Sequence, residues 1–288
     1  MPSDLEYKLQ PLREKIQVPE TEESWDKIAK AIIGLTNVMN DEGTEYPTEL
    51  TQLLRSLYRP LTCAAISERT RLSSAALELF KASAETLGKS FSTIIPLYLP
   101  TLLTLCTRPN KVVITRAKAC IISVIESTQS PSILSFLADA IKGKSVTLRL
   151  AASECALACL NTFNPPDLER EKRAKEIESI IKSTAVDANA DVRKLGRKIF
   201  DAYQILLPNR VDNFISPMTP TIKKYLDIRA KPPSAPPSRP ASSMSTHSVN
   251  SLHAITRPKS TVPHSSSSNQ LTKSSSSRHG DTHTRLIQ

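Results

Sequence analysis

Histidine is missing from the first 228 of the 288 residues; His247, His253, His264, His279 and His283 all follow that point. This absence removes Ser-His-Asp and Cys-His catalysis, and every histidine-containing metal site, from the region before them. Glycine is nearly as scarce there. Gly34, Gly43, Gly88, Gly143 and Gly196 stand alone, so no glycine-rich loop can cradle a phosphate. Paired-carboxylate motifs are also absent. The longest apolar stretches, such as "IIPLYLPTLLTLC" at 94–106, are too short for a membrane span and contain prolines. Five cysteines (Cys63, Cys106, Cys120, Cys155 and Cys159) lie in apolar helical patterns, where free thiols act as small hydrophobes. Cys155 and Cys159 are one helical turn apart but have no third ligand nearby. The odd count and the lack of a signal peptide predict a reducing cytosolic or nuclear setting. The expectation is a non-enzymatic protein with no cofactor, no metal and no membrane partner.

Acidic residues are what residues 229–288 lack. They carry eight Lys/Arg against the single Asp281, together with sixteen Ser and seven Pro. Most of the formal charge of +10 therefore belongs to this segment, and about +3 is left for residues 1–228. A stretch so poor in aliphatics buries too little surface to offset chain entropy, so residues 229–288 are expected to be a disordered basic tail. Its charge would attract acidic polymers, and phosphates on its serine runs would weaken that attraction.

Residues 1–228 show aliphatic spacing of the 3.6 type and little strand-like alternation. Helices are expected at 4–16, 24–40, 47–66, 71–87, 91–106, 111–127, 131–142, 146–162, 167–184, 191–206 and 209–227. Four helix starts align: "ERTRLSSAALEL" (68–79), "NKVVITRAKACI" (110–121), "GKSVTLRLAASE" (143–154) and "ADVRKLGRKIFD" (190–201), with "SWDKIAKAIIGL" (24–35) as a looser fifth. With Trp25, Arg69, Asn110, Ser145 and Asp191 as markers, successive gaps are 44, 41, 35 and 46. The alternate helices repeat too: 91–103 overlays 211–223, with Pro100 and Pro220 separated by 120 residues. A two-helix unit of about 40 residues is the HEAT/armadillo period. The predicted fold is an all-α solenoid of about five helical pairs over 1–228. A capping helix within 1–20 precedes it, the tail of 229–288 follows it, and stacking brings equivalent turns into one row.

These residues resemble the TOG domain of the CLASP family, the cytoplasmic linker-associated proteins that bind tubulin and microtubules. The resemblance runs over about 20–228 and rests on "SWDKIAKAIIGLTNVM", "FKASAETLGKSFSTIIPLYLPTLLTL", "TRAKACIISVIEST" with its preceding Asn-Lys turn, and "DANADVRKLGRKIFDAY". It implies a paddle of HEAT-like units that grips the tubulin heterodimer and microtubules through its row of intra-repeat turns. Carried over by position, the tubulin-binding residues would be Trp25 in the first turn, Arg69 and Arg71 in the second, and Asn110 and Lys111 in the third. Lys144 would serve in the fourth turn, and Arg193 with Lys194 in the fifth. The implied role is microtubule stabilisation in the cytoplasm, with the mitotic spindle as its setting. Family members usually carry several such domains, so multivalent action by this chain would require self-association.

Other readings of the same residues stand beside this one. Trp25, the only tryptophan, fits a core position or an outward hot spot equally by type. Basic turn residues are often solvated surface, although a row of one sign at equivalent turns suits an acidic partner. Arg149 fits a structural role, and Asp187 or Asp191 would pair with Arg193. In the tail, Ser260, Val262 and Pro263 resemble the Ser-x-Ile-Pro motif that end-binding proteins recognise, with Val in place of Ile. A HEAT/armadillo adaptor with a protein-binding helical groove is the main alternative, though such grooves use repeated Trp-Asn pairs. Nucleic-acid binding would call for aromatics interleaved with the basic residues, and the tail has none.

Overall fold

The computed structural model describes residues 4–228. Among these residues the regular structure is helical and contains no strand. The helices are α1 (Asp4–Ile16), α2 (Trp25–Glu42), α3 (Pro47–Ser56), α4 (Tyr58–Ile66), α5 (Thr70–Leu87), α6 (Ile95–Leu105) and α7 (Lys111–Thr128). They continue as α8 (Ile133–Ala140), α9 (Val146–Thr162), α10 (Pro165–Glu169), α11 (Glu171–Ala185), α12 (Ala190–Leu206), α13 (Pro208–Ile215) and α14 (Pro220–Tyr225).

Two layers emerge from their packing. One is built of α2, α5, α7, α9 and α12, each 17 or 18 residues long and each lying against the next. The other runs through α4, α6, α8 and α11, and each of these also packs on its sequence neighbour in the first layer. Helix α1 packs on α2 and completes the first pair, burying Leu5, Leu9 and Ile16. The array is thus the predicted solenoid of five pairs, closed at its far end by α13 and α14.

The long helices approach closely because small residues face their neighbours: Ala29 and Ala31, Ala75 and Ala76, Ala117, Ala151 and Ala152 are all buried. Gly196 is the tightest case in α12. A Cβ there would lie 2.7 Å from Thr184 Oγ1 and 3.0 Å from its Cβ, on α11. Gly88 ends α5 with φ +50°, a left-handed conformation that glycine adopts without strain. In the other layer, Tyr98 is buried against Phe80 (ring centroids 4.6 Å apart), and its hydroxyl donates to the Leu54 carbonyl at 2.6 Å.

Four expected helices divide, and proline accounts for three of the breaks. Helix 47–66 parts at Leu57 because Pro60 has no N–H for the Ser56 carbonyl and its ring would collide with it. Helix 91–106 becomes a 3-10 helix, Gly88–Thr93, followed by α6, because Pro96 acts in the same way on Ser92. Helix 209–227 is cut between α13 and α14 by Pro217 and Pro220. The overlay of 91–103 on 211–223 therefore joins unlike geometry, since Pro100 lies inside α6 whereas Pro220 begins α14. The fourth break is a packing requirement. At about 100° per residue, a straight helix over 167–184 would put Leu168 opposite Ala174, Ile177 and Ile181. All four are buried, so the chain turns at Arg170 between α10 and α11. The tail of 229–288 lies outside the described residues.

Gly196→Ala supplies a test of the close α11–α12 approach. It should destabilise the folded chain by about 1–3 kcal/mol despite alanine's better helix propensity. Urea unfolding followed by circular dichroism would read this; a gain in stability would show that the two helices separate without cost.

Candidate interaction edge

All five helices of the long layer begin on the same side, after turns at 17–24, 67–69, 106–110, 141–145 and 186–189. The residue at each start, Ser24, Arg69, Asn110, Ser145 and Asn189, is the helix N-cap. Three cap with their side chains, as free helical N–H groups require. Asn110 accepts from Val112 N at 2.9 Å, Ser145 from Leu148 N at 3.4 Å, and Asn189 from Asp191 N at 2.8 Å and Val192 N at 3.2 Å. The Asn-Lys turn of the sequence is therefore first a helix cap: Asn110 satisfies the backbone, and Lys111 is exposed with no ion-pair partner in the described structure.

Successive turns are bonded to one another. Arg69 links turn two to turn one through Glu20 (3.1 Å) and Glu22 (2.6 Å), while Ser67 Oγ donates to Glu20 at 2.7 Å. Arg108 links turn three to turn two through Glu68 and the Ile66 carbonyl, the latter at 2.9 Å. Between turns three and four, Thr147 Oγ1 donates to the Cys106 carbonyl at 2.8 Å.

The fourth and fifth turns carry the most buried tie. Arg149 Nε and Nη2 donate to Asp187 Oδ2 and Oδ1 at 2.6 and 3.1 Å, and Arg149 Nη1 donates to the carbonyls of Gly143 and Lys144. Their side chains are 13% and 6% exposed, so the pair works in a low-dielectric setting. Burial opposes the Asp187 charge, but the Arg149 bonds and the Asn189 N–H outweigh it and hold the carboxyl below its ordinary pKa. Arg193 repeats the Arg149 pattern one unit later: its Nη1 donates to the carbonyls of Asp187 and Ala188, six and five residues back, and its guanidinium lies 5.5 Å from the Tyr225 ring.

The edge therefore differs from a row of one charge. Arg69, Arg71 (bonded to Asp26), Arg193 and Lys194 (3.1 Å from Asp191) all meet partners within the fold. Asp187 serves Arg149 through its carboxylate and Arg193 through its carbonyl. Of the residues expected at the edge, Lys111 and Lys144 keep uncommitted charges. Trp25 is half-buried against the core, and the Arg69 guanidinium lies 5.6 Å from its ring.

Sequence reasoning missed an apolar row. Val18, Ile66, Val112, Val146 and Val186 lie in or beside turns one to five in order, exposed by 46, 41, 56, 42 and 51%. They make up five of the nine exposed large hydrophobic residues among those described. Each is a single β-branched residue beside a polar turn; only its recurrence in every unit gives a sequence signal. Lys111 also rims a shallow cavity of about 230 Å³ between α7 and α9, at whose wall Lys118 and Glu154 pair at 2.5 Å. Among the described residues, no cluster of three or more His, Cys, Asp or Glu could hold a metal ion. Cys106, Cys120, Cys155 and Cys159 are buried, and burial pushes the Cys106 thiol up to about 11.

Asp187→Asn should lower stability by about 2–3 kcal/mol near pH 7, because it leaves Arg149 buried without its counter-charge. The native carboxyl has a depressed pKa, so its contribution is present above the ordinary value and fades as pH falls through the native one. The difference between wild type and variant should accordingly shrink as pH falls below the ordinary carboxyl range in parallel urea titrations; a constant difference would contradict the assignment.

The family described as CLASP N terminal matches this chain over residues 5–227. Protein peg1 of Schizosaccharomyces pombe is 26% identical over 215 residues, which is 73% of this chain but 15% of peg1. The chain thus spans a small part of that relative's length. A structure solved in work on microtubule plus-end tracking by XMAP215, CLIP-170 and EB1 superposes with a TM-score of 0.59 at 18% identity, covering 79% of this chain and 88% of that one. The TOG domain of C. elegans Zyg9 superposes with a TM-score of 0.57 at 16% identity, covering 78% and 86%. At such identities the structural likeness is one of fold. With a family match that runs from α1 to α14 and an array of helical pairs shared with TOG domains, this chain belongs to the CLASP N-terminal family.

Proposed function

We propose that this chain is a non-enzymatic, CLASP-type microtubule-binding protein whose turn edge engages the tubulin heterodimer. The observation that carries this reading is the coincidence, in or beside the five turns, of five exposed aliphatic side chains, the half-buried Trp25 and the uncommitted Lys111 and Lys144. Aliphatic and aromatic groups that exclude water, rimmed by charge, are the anatomy of a protein interface. The two lysines would orient an acidic partner and contribute about 0.5–1 kcal/mol each as rim contacts. In the cell, the reading extends to microtubule stabilisation and to a place on the cytoskeleton, at the mitotic spindle. An end-binding partner recruited by Ser260, Val262 and Pro263 belongs to the same proposal; that motif lies outside the described residues.

The expected outcome is specific to the edge. Full-length chain would be titrated with labelled tubulin dimers beside Val112→Asp/Val146→Asp and Lys111→Glu variants, with circular dichroism to confirm folding. The valine pair should weaken binding by about tenfold or more and Lys111→Glu by about threefold to tenfold. Folded variants that bind as wild type does would move the interface away from the turns.

A further inference from the structure

Serine or threonine precedes proline at three places in the chain, Ser130–Pro131, Ser216–Pro217 and Thr219–Pro220. The fold leaves them unequally accessible. Ser130 is half-buried, and its hydroxyl is hydrogen-bonded to Ser132 Oγ at 2.8 Å. Ser216 is exposed but closes α13 in helical backbone (φ −48°, ψ −54°), with its N–H bonded to the Asp212 carbonyl at 3.0 Å. Thr219 is exposed and extended (φ −66°, ψ 151°) directly before Pro220. Its hydroxyl oxygen accepts one long bond, from Ile222 N at 3.4 Å, which leaves its proton free. Enzymes that phosphorylate Ser/Thr-Pro sites take their substrate as extended chain, the conformation that proline imposes on the residue before it.

A cation stands ready one helical turn later. Lys223 Nζ reaches back over this segment to the Ser216 carbonyl at 3.5 Å, and no acid pairs with it among the described residues. Helix α14 itself is weakly held, since none of its six residues is buried. It nevertheless walls the fifth turn: the Tyr225 carbonyl accepts from Arg197 Nε at 2.6 Å, and the Tyr225 ring lies under Arg193.

We propose that Thr219 is a phosphorylation site for a proline-directed protein kinase and that Lys223 receives the phosphate, clamping the first turn of α14, the helix that walls the fifth turn. In the transfer, Thr219 Oγ bonds to the γ-phosphorus of ATP and the bridging Pγ–O bond breaks to release ADP. The hydroxyl proton passes to the kinase's catalytic carboxylate. The product carries about −1.5 to −2 charges, which draw the Lys223 ammonium away from a neutral carbonyl.

The test incubates full-length chain with ATP and a purified cyclin-dependent kinase, beside a standard substrate that reports kinase activity. Site occupancy is read by tandem mass spectrometry. Thr219 should carry about tenfold more phosphate than the half-buried Ser130, and more than Ser216. Phosphate mainly on Ser130 or Ser216, or on none of the three while the standard is modified, overturns the site. Hydrogen exchange then tests the clamp: amides of 221–226 should exchange about fivefold more slowly after phosphorylation, and Lys223→Ala should remove that slowing. Unchanged exchange, or equal slowing in Lys223→Ala, overturns the role of Lys223.

Discussion

Five helices of nearly equal length must begin at a common edge, and the rest of the structure depends on that constraint. Side-by-side packing on alanine and glycine brings helices closer than large side chains would allow, which leaves little room for one to slide past another. Ala76, Ala117 and Ala152 are buried on successive long helices, and Gly196 makes the close approach of α12 to α11 in the second layer. Once the helices cannot slide, the turns before them fall in a row. The side chains there can then bond from unit to unit, as Arg69, Arg108, Thr147 and Arg149 do.

Those bonds decide what the edge offers to a partner. Arg149 donates to two backbone carbonyls and a carboxylate, and Arg193 to two backbone carbonyls, so both guanidinium groups fold back to support the edge. With most of the positive charge answered internally, long-range attraction of a partner at the proposed interface would come from a few lysines. Short-range contact there would come from the aliphatic row, whose burial stabilises roughly in proportion to area. An edge of this composition would discriminate by shape more than by net charge.

The helical pairs were legible because burial imposes a 3.6-residue period, and their number followed from the recurrence of the turns. Breaks at Pro60, Pro96 and Pro217 were visible as residues, but apolar spacing ran through them and suggested longer helices. The break at Arg170 was implicit in the positions of Leu168 and Ile177, which no single straight helix can bury together. Site chemistry was harder to read. Residue type alone does not tell a cap such as Asn110 from a contact, nor a paired arginine from a free one, because partners such as Glu20 for Arg69 lie 49 positions away. The aliphatic row escaped notice because each member looks like an ordinary helix residue until its exposure is known.

The doubly anchored turns have a consequence for speed. Backbone carbonyls at 143, 144, 187 and 188 are held by guanidinium groups from the helices that follow them, and each turn is tied to its neighbour. A surface fixed in this way does not have to be ordered when it meets a partner, so little conformational entropy is lost on contact. Encounter and orientation would then set the rate of association, without a slow rearrangement after first touch.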